Sequence, residues 1–389
     1  TARSGALPWI GEGYYQITIN LPKGYKHAEL HFDGAMSEPT VTVNGKKAGY
    51  WAYGYNAFNV DITPFAKEGE NKVEVDLKNV EESSRWYPGG GIYRPVTLVL
   101  TGATRFETWS TFVRTASATA DNATIAIDSK LDGFNASQNN ETEFELHDKD
   151  GKIITSTKVK PDNQGQIHCE LKVTNPHLWS PETPYLYNLI CTHKIGGEIS
   201  DKQTIRVGIR TISVSKEHGF QLNGQTRKFK GVCLHHDEGP LGAAENRSAF
   251  ARQILTMKEM GCDSIRTAHN MPSTMQMELC DELGMMVMAE SFDMWIYPKC
   301  KNGYARFFKD WGDKDITNLV LHHRNHPSIV MWSIGNEIPE QSMPEGPGIA
   351  KHLQDLCHQL DPTRPVTQGL DRIDEALDGN FASVMDIPG

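Results

Sequence analysis

HPSIVMWSIGNEIPE, residues 326–340, sets a polar Asn336-Glu337 pair at the end of a continuously apolar run. Residues 328–334 are rich in β-branched and aromatic side chains, opened by Pro327 and closed by Gly335. A strand buried on both faces of a parallel sheet has this composition, and such a sheet carries helices on both sides. In barrels and doubly wound sheets chemistry collects at the carboxyl ends of the strands, so Asn336 and Glu337 stand where catalysts stand. The plainer alternative is a buried Glu that pairs with an arginine to close the sheet.

Working outward, the region after Asn223-Gly224 alternates strand and helix at short loop lengths. Strands are expected at 228–234, 264–268, 285–289, 328–334, 365–369 and 383–387, with helices at 245–260, 273–283, 307–323 and 349–360. Gly261 and Gly284 close the first two helices. This alternation means parallel strands with right-handed crossovers. Four consecutive strands end in polar groups: His235, His269, Glu290 and Asn336-Glu337. Groups able to bind hydroxyls at four neighbouring strand ends describe the mouth of a barrel.

Residues 1–101 read as short strands punctuated by Gly, Pro and Asn, an all-β sandwich in which Asn44-Gly45 predicts a type I′ hairpin. Tyr50, Trp51, Tyr53, Tyr55 and Phe58 are expected in the core of that sandwich rather than stacked on sugar rings. The loop at 83–91, SSRWYPGGG, cannot extend a strand and displays Arg85, Trp86 and Tyr87, which makes it the better functional candidate. Residues 102–215 continue as strands with turn signals at Asp132-Gly133, Asp150-Gly151 and Gly196-Gly197, the spacing of an immunoglobulin-like sandwich. No catalytic cluster stands out there, so a spacer is expected.

The 389-residue length calls for about two or three domains, and three fits the pattern. A net charge of −10 with interspersed signs gives no support to a nucleic-acid partner or an anionic membrane surface. No run reaches the length of a membrane span, and the first residues have neither the basic start nor the apolar core of a signal peptide. The seven cysteines are scattered without a CxxC, so buried free thiols are expected rather than zinc ligands or disulfides.

His235, His236 and Asp237 suggest a metallohydrolase, but side chains alternate along a strand, so only one of the two histidines can face the mouth. His322, His323 and His326 lack the Glu of an HExxH helix and fall at a helix end, where histidine stabilises the last carbonyls. No metal site is expected. Without GxGxxG, a Walker lysine or GxSxG, nucleotide chemistry and serine hydrolysis also lack support. Carboxylate chemistry on a neutral polyhydroxylated substrate remains. Glycoside hydrolysis needs a carboxyl group that protonates the leaving oxygen, and Glu337 suits it because a strand end in a closed barrel is partly desolvated.

Residues 262–272, CDSIRTAHNMP, and 332–337, WSIGNE, resemble the two barrel signatures of glycoside hydrolase family 2, in its β-galactosidase branch. VNGKKAGYWAYGYNAFNVDIT, RWYPGGGIYRPV, KGVCLHHDEGPLG and LDPTRPVTQG extend the resemblance over essentially the whole chain. It implies a jelly-roll sugar-binding domain at 1–101, an immunoglobulin-like sandwich at 102–215 and a (β/α)8 TIM barrel from 216–389, with retaining double displacement. By position it makes Glu337 the acid/base, gives Asn336 the 2-hydroxyl and His235 and His269 the glycone, and has Arg266 steady the nucleophile. Glu290 is expected to touch substrate. Arg85 and Trp86 fall on the loop that leans over the active site, where long-studied members place an acid. Met294 and Ile296 stand where a carboxylate and a histidine would bind the family's magnesium, so no cofactor is expected. Trp295 is expected instead to form an aromatic wall for the leaving-group sugar.

The expected activity is that of a retaining exo-β-glycosidase acting on carbohydrate, a β-galactosidase first, with β-glucuronidase or β-mannosidase as same-mechanism alternatives. A non-catalytic carbohydrate-binding paralogue is the reading from a different class. A bacterial periplasmic or extracellular location is favoured over the cytoplasm. Only six barrel strands are expected here, whereas a barrel has eight in about 250 residues. Strands seven and eight, and the nucleophilic Glu of the seventh, are therefore expected outside this chain, and the jelly roll is expected to open mid-pattern at Thr1. The chain alone is expected to lack turnover, any second carboxylate having to come from Glu290, Asp293 or Asp237. An open barrel exposes strand edges and apolar faces, which favours a homo-oligomer or a covering partner.

Overall fold

Asn44 and Gly45, at φ 51° and 78°, turn the hairpin between Thr40–Val43 and Lys46–Tyr50. Positive φ at both central positions is what the type I′ turn demands. These two strands continue a four-stranded antiparallel sheet through Gly69–Asn79 to Gly11–Leu21. Packed against it is a three-stranded sheet of Phe58–Asp61, His27–Phe32 and Val96–Thr101. In Gly69–Asn79 alternate residues Val73, Val75 and Leu77 are buried and meet Leu30, Phe32 and Val60 of the facing sheet. The computed structural model describes residues 10–389; the expected mid-pattern opening at Thr1 lies outside the described residues.

The second sandwich packs a sheet built on Asn122–Asp132 and Gln166–Thr174 against one built on Asn140–His147 and Tyr187–Ile195. Its core joins Ile125, Ile127 and Leu171 to Phe144, Leu146 and Leu189. A small antiparallel sheet, Ile212–Ser215, Gly219–Leu222 and Gln225–Thr226, follows. Phe220 and Leu222 of this sheet pack with Trp179, Met286 and Val330, at the amino ends of the barrel strands.

Six parallel strands then lie side by side in chain order: Gly231–Leu234, Ser264–Thr267, Met286–Glu290, Ile329–Asn336, Val366–Gly369 and Ile387–Pro388. Five helices connect them. Every residue of Ile329–Asn336 is buried, as its apolar run requires, and each large aliphatic side chain there contributes about 1.5–3 kcal/mol. The second barrel helix, Thr274–Leu283, begins where Ser273 accepts from the Gln276 N–H and ends at Gly284 with φ 76°. Gly284 is required twice over, because a Cβ there would lie 2.4 Å from the Pro181 carbonyl oxygen of the second sandwich.

Several expectations need correction. The strand expected at 383–387 is instead a 3₁₀ turn at Ala382–Val384 followed by the two-residue strand Ile387–Pro388, because Ser383 Oγ donates to the Asn380 carbonyl and tightens the chain. A short helix, Ile373–Asp378, was not foreseen. Only Cys191, Cys280 and Cys357 are buried, and Cys233 is exposed. Tyr53 and Tyr55 are buried, yet their core is shared with the barrel, not confined to the first sandwich. Tyr53 packs on Tyr304 at 4.3 Å and its hydroxyl donates to the Ser291 carbonyl, while Asp315 accepts from Trp51 Nε1 and Asn56 Nδ2. Arg94 adds hydrogen bonds to the Tyr55 and Met271 carbonyls. The first sandwich is thereby locked over the carboxyl ends of the strands. No helix among the described residues is long and apolar enough to cross a membrane.

Candidate active site

Asn336 is the last residue of the fourth barrel strand, and Glu337 leaves it with φ 45°. A left-handed backbone at a glutamate costs on the order of 1 kcal/mol, and such strain collects at functional sites. The turn is held by the Glu337 N–H donating to the Gly369 carbonyl at 2.8 Å. The Glu337 side chain is 44% exposed, in contrast to the buried strand that carries it.

The first sandwich's loop reaches this carboxylate. Arg85 Nε and Nη2 donate to the two oxygens of Asp293 at 2.7 and 2.5 Å, and Nη2 lies 3.9 Å from Glu337 Oε2. Lys299 Nζ donates to Asp293 Oδ1 at 3.1 Å and to the Asn336 carbonyl at 2.6 Å, and Asn336 Nδ2 donates to the same Asp293 oxygen at 2.9 Å. Burial raises the proton affinity of Asp293, but Arg85, Lys299 and Asn336 outweigh it and hold the carboxyl below its usual range. The Asn336 amide also accepts from Arg266 Nη2, so one amide N–H is left to offer a sugar hydroxyl.

Glu290 is fully buried, and this corrects its expected contact with substrate. It accepts from Arg266 Nε, His269 Nδ1 and Ser333 Oγ at 2.6–2.7 Å, so it orients the groups that face the mouth. With Nδ1 turned to Glu290, His269 presents its Nε2 edge outward. His235, His269 and Trp86 gather into a three-ring wall, with centroids 5.2 Å from Trp86 to His235, 5.8 Å from Trp86 to His269 and 5.5 Å between the histidines. Trp86 Nε1 donates to the Tyr55 hydroxyl, which fixes the indole from the first sandwich. Burial, then the neighbouring His269, keeps His235 below its ordinary pKa, so its neutral form is favoured. His236 is buried, with Nε2 against the Pro88 carbonyl; the strand ends at Leu234, so the bend that follows it, not strand alternation, sets the two rings apart.

Trp295 is not a sugar wall. It is fully buried, stacks on Phe308, and donates Nε1 to the Ile334 carbonyl, because the chain turns inward after Glu290. Met294 is buried in the same core and Ile296 packs against it, so neither position offers a magnesium ligand. No group of three or more metal-binding side chains is arranged for a cation among the described residues. His322 and His326 serve structure, at Thr274 and Asp281 respectively. The site therefore brings together Glu337, Asn336, Arg266, His269, His235, Arg85 and Trp86, and places Glu290 behind them and Trp295 outside. Sequence reasoning gave Asp293 no role beyond that of a fallback carboxylate and missed Lys299 entirely. The first had a signal, an acid three residues past a strand-end Glu; the second had none.

Three family models match the chain: the sugar binding domain of glycosyl hydrolases family 2 at residues 7–102, a model described as glycosyl hydrolases family 2 at 105–210 and the TIM barrel domain of glycosyl hydrolases family 2 at 212–385. The β-galactosidase BoGH2A of Bacteroides ovatus is 37% identical over 99% of this chain and 50% of its own length. A β-glucuronidase of Bacteroides fragilis is 31% identical over 95% of this chain and 55% of its own length. A solved structure of a glycosyl hydrolase family 2 member from Bacteroides cellulosilyticus superposes with a TM-score of 0.93 at 37% identity, over 97% of this chain and 50% of that one. The chain spans about half the length of the relatives it matches.

Proposed function

The chain belongs to glycosyl hydrolase family 2, and from that premise we propose that the protein is a retaining exo-β-glycosidase, acting first on β-galactosides, in which Glu337 is the acid/base. The observation that carries this reading is the placement of Glu337, an exposed carboxylate on a strained turn at the end of a wholly buried strand. It protonates the glycosidic oxygen as the bond breaks, then removes a proton from the water that completes the second displacement. Asn336 offers its remaining amide N–H to the hydroxyl beside the reacting carbon. His269 and His235 hold the glycone, with Trp86 closing the wall above them. Glu290 and Asp293 are each engaged by three side chains, so neither is proposed as nucleophile.

The β-glucuronidase reading is kept because relatives of that name match nearly as much of the chain. A panel of nitrophenyl β-galactoside, β-glucuronide, β-mannoside and β-glucoside, assayed with the full-length gene product, separates the two. The proposal expects the β-galactoside to have the highest kcat/KM. A β-glucuronide preference would replace the glycone assignment, and no turnover on any of them would favour a carbohydrate-binding role without catalysis.

A further inference from the structure

We propose that the cavity between the immunoglobulin-like sandwich and the floor of the barrel is a binding site for a small oxyanion, of the sulfate or phosphate class, held by Arg210 and Arg324, with the part-exposed Arg114 at its edge. The cavity encloses about 290 Å³, near the lower end of ligand pockets. Arg114, Arg210, Arg324 and Arg364 line it, and none of its lining residues is an Asp or Glu. Its position rules out the glycoside site: Arg210 grips the Pro327 and Ile329 carbonyls at the start of the fourth barrel strand, whereas Glu337 follows the end of that strand, roughly 25 Å away at the rise of an extended chain.

Arg210 lines this cavity from the sandwich side. The residue is more than nine-tenths buried, Nε and Nη2 are used on those two carbonyls, and Nη1, which is not fully buried, bonds no acceptor among the described residues. Arg324, equally buried, spends its terminal nitrogens on the Leu360, Trp109 and Ser110 carbonyls and leaves Nε unpartnered. Carbonyl oxygens satisfy hydrogen bonds but carry no net charge. The nearby acids are already committed: Asp361 to Arg364, Trp332 and Thr363, Asp281 to His326 and the Ser328 N–H, and Asp128 to Arg114 and His168. The imbalance shows in the proton affinities, which fall to about 9 for Arg210 and about 10 for Arg324: burial is the largest cause in both, and repulsion from Arg364 adds to it, only partly offset by attraction to Asp361. Buried cations without a directly bonded counter-charge are costly, and an oxyanion in the cavity supplies that charge to Arg210 and Arg324 and an acceptor for Arg324 Nε.

Titration calorimetry of the intact protein tests this, with sodium sulfate, inorganic phosphate and a galactose sulfate monoester as probes at an ionic strength fixed by sodium chloride. Saturable one-to-one binding is expected, weakened at least tenfold in Arg210→Met and severalfold in Arg114→Gln. Tighter binding of inorganic sulfate or phosphate than of the monoester identifies a free ion as the occupant, and the reverse identifies a sulfated saccharide. Arg114 is part-exposed, so Arg114→Gln keeps the test open if Arg210→Met fails to fold. No saturable heat with any probe, or unchanged affinity in folded Arg114→Gln, would overturn the proposal.

Discussion

At the mouth of the barrel sheet the cations meet carboxylates: Arg85 and Lys299 share Asp293, while Arg266 and His269 share Glu290. At the floor four arginines crowd one cavity: Arg210 and Arg324 bond main-chain carbonyls alone, while Arg364 also pairs with Asp361 and Arg114 with Asp128. The first arrangement fixes the direction of side chains, because a bidentate guanidinium or a bonded imidazole has one orientation. The second ties loops and strand starts of two domains together through main-chain oxygens. One end of the fold is thus built for placement and the other for cohesion. Mutations at the two ends should divide accordingly between activity and stability.

The largest effect is expected at the floor. Arg364→Met leaves Asp361 buried without its ion-pair partner, which costs about 3–5 kcal/mol. A denaturant titration should show that loss, with near-normal kcat in whatever fraction remains folded; a large loss of kcat at unchanged stability would blur the division. At the mouth, His269→Ala removes a donor that tightens on the transition state, and kcat/KM should fall about 10²–10³-fold with the unfolding midpoint little changed. His235→Ala should behave alike, with a smaller loss. Near wild-type kcat/KM in either would make that histidine structural.

The seam between the first sandwich and the barrel lies between these extremes. Asp315 is fully buried among Trp51, Asn56 and Tyr304, and burial pushes its pKa up to about 6. The folded state therefore holds a proton that the unfolded chain has released, so stability should decline as pH rises from the usual aspartate range to about 6, then level off. Asp315→Asn, a mimic of the protonated form, should flatten that slope, and Asp315→Ala should cost about 1–3 kcal/mol at any pH. An unaltered slope in the Asn variant would place the titration elsewhere. The smallest effect is that of a chelator, since Met294 and Ile296 offer no oxygen or nitrogen ligand. Dialysis against it should leave the rate within error, and inhibition reversed by magnesium would contradict this.

The barrel strands were legible because burial on both faces writes itself as an unbroken apolar run, and 328–334 became Ile329–Asn336 with its polar end intact. Asn44-Gly45 was legible because its turn has a strict backbone demand. Trp295 misled because an aromatic beside a site has the same letter whether it faces sugar or core, and only the inward course of the chain decides. The Lys299–Asn336 and Arg85–Asp293 contacts join residues far apart in the chain through loops that carry no periodicity. Tyr53 and Tyr55 were read as core, but which core depended on how two domains dock.

The role of Glu337 is the centre of the account, and chemical rescue tests it most directly. Glu337→Ala in the full-length gene product should lose most turnover on alkyl or sugar leaving groups and much less bond cleavage on dinitrophenyl glycosides, which need no proton. Added azide should restore turnover and yield a β-glycosyl azide, because a small anion can occupy the space of the missing carboxylate and attack without base assistance. A folded variant that azide does not rescue, or that loses activity equally on all leaving groups, would contradict the assignment and move the acid/base to another residue.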